Sequence, residues 1–320
     1  MEIVCSADNN YAMPTGIMLT SLFENNKDEF VRVHFLDGGL TIENKKRLSC
    51  IAQNYTHKQI IFYGIDEKLF ENFPIDQANQ SSHIHSMATY YRLYMAQILP
   101  NDVDKVIYLD GDLIVLDSLS ELWNWNVDDC ALAAVSDPFN NMTKHYNALR
   151  YSMELGYFNA GVLLINLKYW RDNHVINDFL ALIKKHPERL IAHDQDVLNF
   201  VFREKKKILP LRFNMMPEFL YKPEYCPLLW KFEDDLKKGQ KHPVIIHFTF
   251  VPKPWHKDCE NPYKYKFEYY RQKTVWADFK EHSGIPLKNK VVGWCKAFLI
   301  AIGILQYKPS EKAMYAKIDF

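Results

Sequence analysis

Val106-Ile107-Tyr108-Leu109-Asp110-Gly111-Asp112 is the stretch on which the reading of this chain turns. Four apolar residues in succession predict a strand buried on both faces, the pattern of a parallel sheet. The run then meets two carboxylates flanking a glycine. Carboxylates are costly to bury unless paired or bound to a cation, so they belong where the strand emerges. The carboxyl edge of an open α/β sheet is also where such folds bind ligands. Two acidic groups one residue apart can hold a hard divalent cation, and the cation can hold phosphate. On its own the triplet is equally an ordinary strand-end turn, for which Gly111 and Asp112 are common residues.

Working outward, the same grammar repeats. Glu2 to Ser6 reads as a strand and Pro14 to Asn25 as a helix. Val31 to Leu36 and Gln59 to Tyr63 read as further strands, with a helix opened by Thr41 between them. This β-α-β-α-β order predicts a parallel, doubly wound sheet with right-handed crossovers. A helix is expected over Ser86 to Leu99, carrying Arg92. Strands are expected at Ala131 to Ser136, Val162 to Asn166 and Val244 to Phe248. A helical stretch is expected from Tyr169 to Lys185, and another helix from Asp194.

Composition narrows the class. The 320 residues are 48% hydrophobic and 24% charged, a globular balance, and 39 basic residues offset 39 acidic ones, so no global field argues for a nucleic-acid partner. The six cysteines form no C-x-x-C pair, which points to reduced thiols rather than zinc or disulfides. A strand directly after Met1 leaves no room for a secretion signal, so a cytoplasmic location is expected. Phosphate-loop and dinucleotide glycine motifs are absent. Phosphate would therefore have to be neutralised by a metal and by basic side chains. Val291 to Leu305 is nearly apolar and flanked by Lys288, Lys290, Lys308 and Lys312. It is either a packed C-terminal helix or a segment lying in a membrane interface, with its cations on anionic lipid.

Asp8, Asp110, Asp112, Asp137 and His247 all end or follow predicted strands, so a parallel sheet would gather them on one edge. Oxygen ligands suit magnesium, calcium or manganese, and one imidazole tilts the choice towards manganese. Lys253 lies close enough in sequence to reach a phosphate.

Four ordered blocks carry a resemblance. They are Ile3 through Tyr11, Tyr108 through Asp112, Tyr157 through Leu167, and His247-Phe248 through Lys253-Pro254-Trp255, with Asp194-Gln195-Asp196 between the last two. The chain resembles glycosyltransferase family 8, near its bacterial retaining α-galactosyltransferases and α-glucosyltransferases. The resemblance implies a GT-A fold: one Rossmann-like, mostly parallel sheet flanked by helices, over residues 1–255, with a helical, basic and apolar appendage over 256–320. It implies a UDP-hexose donor, manganese (or magnesium), and a saccharide or glycolipid acceptor on the inner face of the cytoplasmic membrane. By the same resemblance Ala7, Asp8 and Tyr11 would hold the uracil and Asn10 the ribose. Asp110, Gly111, Asp112 and His247 would surround the metal and diphosphate, with Asp110, Asp112 and His247 as its ligands and Lys253 on phosphate. Arg92, Asp137, Asn159 and Gln195 would bind the donor sugar, with Asp194 as nucleophile or positioning group and Gln195 beside it at the reacting centre. The family reads glycine where this chain has Phe250, which reshapes the acceptor side. By the same resemblance His83 and His85 would border that side; the alternative is that they are ordinary exposed loop histidines.

Two other readings were open. In a haloacid-dehalogenase-type phosphatase Asp110 would attack phosphate with Asp112 as acid/base. Alternatively, the same fold could serve as a non-catalytic sugar-nucleotide binder.

Overall fold

The computed structural model describes residues 1–71, 73–74, 87–139, 142–222, 232–284 and 314–315. The first three strands are β1 (Glu2–Asp8), β2 (Val31–Gly38) and β3 (Lys58–Gly64), joined through helices α1 (Ala12–Glu24) and α2 (Ile42–Gln53). Local chemistry sets these boundaries. Asp8 Oδ1 accepts from the backbone of Asn10 and Tyr11 and so caps the turn that leads into α1. The Thr41 hydroxyl caps α2 through Asn44 N–H. The remaining elements are α3 (Met95–Ile98), β4 (Lys105–Leu109), β5 (Leu113–Val115), α4 (Ser120–Trp123), β6 (Leu132–Ser136), α5 (Thr143–Leu149), β7 (Phe158–Asn166), α6 (Leu167–Asp172), α7 (Val175–Lys185), α8 (His193–Val201), β8 (Lys206–Leu209), α9 (Glu233–Lys241), β9 (Ile245–His247) and α10 (Lys264–Arg271).

Seven strands form one sheet in the order β3-β2-β1-β4-β7-β6-β8. All run parallel except β7, which pairs antiparallel with both β4 and β6. The strand periodicity divides two cores. Ile3, Cys5, Ala7, Ile107 and Leu109 face the α1 side, and Val4, Val106 and Tyr108 face the α7–α8 side. Helix α10 and the Tyr263 that precedes it join the first core, the helix through Phe267 and Tyr270, and Tyr270 Oη accepts from Asn25 Nδ2 at 2.8 Å.

Three expectations need revision. The helix expected over Ser86–Leu99 is a 3₁₀ helix from Met87 to Tyr94 followed by the short α3; Ser86 itself lies outside the described residues. In a 3₁₀ helix residues three apart eclipse, which puts Thr89 and Arg92 on one edge. The single helical stretch to Lys185 is broken into α6 and α7 at His174, whose φ is 48°. The strand carrying His247 does not belong to the main sheet. It pairs antiparallel with β5 in a two-stranded ribbon.

That ribbon explains the place of the Asp-Gly-Asp triplet. Asp110-Gly111-Asp112 is the crossing between β4 in the main sheet and β5 in the ribbon. Leu113 lies opposite His247, and Phe248 N–H donates to Asp112 O at 3.0 Å. The triplet and the imidazole therefore converge from two sheets. Gly111 is required there, because a Cβ would strike the Thr15 hydroxyl and come within 3.4 Å of Tyr11 Cδ1.

Among the described residues no helix is long and apolar enough to cross a membrane. Val291–Leu305, His83 and His85 lie outside the described residues.

Candidate active site

A cavity of about 600 Å³ opens at the carboxyl edge of the main sheet. The residues that the resemblance assigned to the donor, the metal and the reacting centre all line it: Ala7, Asp8, Asn10, Tyr11, Arg92, Asp110, Gly111, Asp112, Asp137, Asn159, Asp194, Gln195, His247 and Lys253. Asp8, Asp110 and Asp137 arrive from the ends of β1, β4 and β6. Asn159 reaches the same edge from the start of the reversed strand β7.

Asp110, Asp112 and His247 place one ligand atom each within 4.8 Å of one another. Asp110 Oδ1 accepts from Arg92 Nη2 at 2.8 Å and Tyr108 Oη at 3.1 Å, while its Oδ2 faces His247 Nε2 at 3.9 Å. Asp112 Oδ2 accepts from Lys253 Nζ at 2.5 Å, while its Oδ1 lies 3.3 Å from His247 Nε2. Two carboxylate oxygens and one imidazole nitrogen thus point at a common centre. This is a hard, mixed donor set that fits a divalent cation. Burial raises the Asp112 carboxyl, but the Lys253 ammonium and the His247 imidazole outweigh it and hold the group well below the usual carboxylate range.

A relay of hydrogen bonds fixes the imidazole. Gly161 N–H can only donate, and it donates to Asn159 Oδ1 at 2.9 Å. The same oxygen accepts from Asn214 Nδ2 at 2.9 Å, which turns Asn214 Oδ1 towards His247 Nδ1, also at 2.9 Å. Nδ1 therefore carries a proton, and Nε2 is the nitrogen that faces the aspartates and would ligate a cation held between them. Asn214 is fully buried and was not visible in the sequence reading. Its one signal there was a lone amide between Phe213 and Met215.

Lys253 is buried, and its ammonium bonds Asp112 Oδ2 together with the carbonyls of Phe248 and Thr249 at 2.6 and 2.7 Å. Its three N–H groups all have protein acceptors, so a phosphate contact requires it to release one. Arg92 is likewise enclosed. It bonds Asp110, Asp194 Oδ2 at 2.9 Å and the Ala160 carbonyl at 2.6 Å, with its guanidinium 4.2 Å above the Tyr108 ring. Asp194 has both oxygens engaged, by Thr89 Oγ1 and by Arg92. Burial pushes its carboxyl up, against the pull of Arg92. Gln195 Oε1 accepts from Ala160 N at 2.9 Å and Asn159 Nδ2 at 3.2 Å, and its Nε2 donates to Asp137 Oδ2 at 3.3 Å. Asp137, raised by burial, also accepts from Phe139 N at 2.9 Å. On the other wall the Asp8 Oδ2 bonds no protein donor among the described residues, and Trp255 packs edge-on against Tyr11 with centroids 5.7 Å apart. The cavity also takes in residues the sequence did not suggest: Thr89, Phe139, Met142, His145 and Thr249.

Residues 2–259 match the family model described as Glycosyl transferase family 8, and the chain belongs to that family. It is a glycosyltransferase with the GT-A fold. General stress protein A of Bacillus subtilis is 29% identical over 280 residues, covering 86% of this chain and 94% of that protein. A lipopolysaccharide 1,2-glucosyltransferase of Escherichia coli is 30% identical, covering 78% and 71%. The crystal structure of the galactosyltransferase LgtC in complex with donor and acceptor sugar analogs superposes with a TM-score of 0.73 at 27% identity, covering 91% of this chain and 99% of that one. The family assignment displaces the phosphatase reading of Asp110.

Proposed function

We propose that the protein is a metal-dependent retaining hexosyltransferase. It moves galactose or glucose from a UDP-sugar to a glycan or glycolipid acceptor and forms an α-glycosidic bond. The observation that carries this reading is the convergence of Asp110 Oδ2, Asp112 Oδ1 and His247 Nε2 at the floor of the cavity. These three would hold manganese, or magnesium, and a bound divalent cation would neutralise charge on the donor diphosphate. Asp8, with Oδ2 open, Asn10, Tyr11 and the Ala7 backbone form the nucleoside wall. Asp137, Asn159 and Gln195 present a connected set of amides and carboxylate to the hexose hydroxyls.

Asp194 acts as a positioning group. Both its oxygens are held by Thr89 and Arg92, an arrangement that favours orientation over attack. Retention then proceeds by same-face attack, with the departing phosphate oxygen taking the acceptor's proton, rather than through a covalent carboxylate intermediate. The lipopolysaccharide hexosyltransferases among the relatives support a surface-glycan or glycolipid acceptor. The apolar, lysine-flanked Val291–Leu305 supports peripheral contact with the inner face of the cytoplasmic membrane. The test is Asp194→Asn with the matching UDP-hexose. Turnover within about tenfold of wild type is expected, since an amide can still accept from Thr89; loss of about a millionfold would make Asp194 the nucleophile.

A further inference from the structure

His145 lies in the first turn of α5, three residues after Met142 and so on the same helical face, and lines the cavity. Its Nδ1 lies 3.0 Å from Asp196 Oδ1, and Asp196 is fully buried. That carboxylate also accepts from Tyr157 Oη at 2.6 Å and from Ala192 N–H at 2.5 Å. With donors converging on both oxygens, Asp196 serves as the acceptor, so the proton between it and the ring sits on His145 Nδ1. The ring is further held by Tyr157, centroids 4.7 Å apart and tilted by 32°. Its opposite nitrogen, Nε2, engages no protein partner among the described residues.

The surroundings decide what the imidazole meets. Nucleoside, metal and hexose groups lie on the strand ends, whereas α5 stands one step beyond Asp137. Met142 is 45% exposed and Phe250 is 49% exposed, so this end is the open rim. Phe250 packs edge-on against Phe139, centroids 6.1 Å apart. The rim therefore combines two aromatic rings, a thioether and one oriented hydrogen-bond acceptor. A pyranose matches that set, with an apolar C–H face and hydroxyls at its edge.

We propose that His145 is an acceptor-contacting residue: its Nε2 accepts a hydrogen bond from a hydroxyl of an acceptor pyranose whose C–H face rests on the Phe139–Phe250 pair, and Asp196 is the positioning residue that fixes the ring. The proposal rests on the UDP-hexose reading above and adds the acceptor class and the residue that reads it. Phe250, in place of the glycine expected from the family resemblance, becomes part of the acceptor platform.

The experiment uses the full chain with manganese, UDP-hexose, and methyl α- and β-glucosides and galactosides as probe acceptors. His145→Leu keeps the packing on Tyr157 and removes the acceptor atom; His145→Gln restores one. His145→Leu is expected to raise the acceptor KM by about tenfold or more while the UDP-hexose KM stays within about twofold, with His145→Gln recovering part of the loss. An unchanged acceptor KM in His145→Leu overturns the proposal. So does a parallel rise in both KM values with a lowered Tm, which would make the pair a brace between helices. Failure of every methyl hexoside to bind or accept overturns the pyranose subsite. Calorimetric binding of UDP to the wild-type protein separates these outcomes from failure of the donor reading, which would show as no UDP binding at all.

Discussion

Replacing Asn214 by Leu removes two hydrogen bonds of 2.9 Å, one to His247 Nδ1 and one to Asn159 Oδ1, at nearly constant volume. Asn159 Oδ1 keeps Gly161 N–H, so the loss falls on the imidazole. Its Nδ1–H is left buried without an acceptor, at a cost of about 1–3 kcal/mol in stability. The ring can also adopt the other tautomer or rotate, which takes Nε2 away from its position 3.3 Å from Asp112 Oδ1 and 3.9 Å from Asp110 Oδ2. Loss of such an outer partner typically weakens metal affinity about 10–100-fold, or about 1.4–2.7 kcal/mol. Manganese titration followed by the electron paramagnetic resonance of the free ion, with saturating UDP, reads this directly. Asn214→Asp is the control. It still accepts from Nδ1–H, but its second oxygen opposes Asn159 Oδ1, so affinity recovers while Tm falls. Wild-type manganese affinity in Asn214→Leu would refute the relay.

Gly161→Ala puts a Cβ onto the His247 ring and within 2.9 Å of Asp110 Oδ2, so manganese binding should be lost with only about 1–3 kcal/mol of destabilisation, read by the same titration and by urea unfolding. Arg92→Leu leaves Asp110 and Asp194 without their shared cation in a buried site, and urea unfolding should show a loss of about 3–5 kcal/mol. Lys206 is pushed down to about 8 by burial and by Arg203. The unfolded chain therefore holds this proton where the folded one does not, and wild-type stability relative to Lys206→Met should rise between pH 8 and 10.5. A flat difference across that range would show that Lys206 keeps its charge when folded.

The part of the fold that hydropathy encodes was legible. Val106–Leu109 reads as a doubly buried strand and is one, and the aspartates that follow do line a cavity at the carboxyl edge. Strand direction was not legible, because β7 is apolar at nearly every position and such a run looks the same in either sense. The β5–β9 ribbon escaped for a related reason. Each of its strands is three residues long, too short to show a period, so His247 reaches the aspartates by a route that a single-sheet reading does not contain. Ligand atoms that end strands were found; the residues that orient them were not. Asn214 acts through contacts 33 and 55 positions away in sequence, and nothing local marks such a partner; Tyr157 and Asp196 stand inside the family-like blocks, but their pairing across 39 positions and their hold on His145 are not marked there. His145 sits on a short polar helix that reads as surface. Thr89 escaped because its partner, Asp194, lies 105 positions away in sequence.

Release of UDP from a panel of nucleotide sugars, with manganese and then with excess chelator, shows whether the cavity is a metal-dependent UDP-sugar site. Release is expected from UDP-galactose or UDP-glucose and not from GDP-sugars, with arrest on chelation in the wild type and without chelation in Asp110→Asn. Turnover that survives chelation, or that prefers a GDP-sugar, would contradict the assignment of Asp110, Asp112 and His247 to the metal and of Asp8 and Tyr11 to uracil.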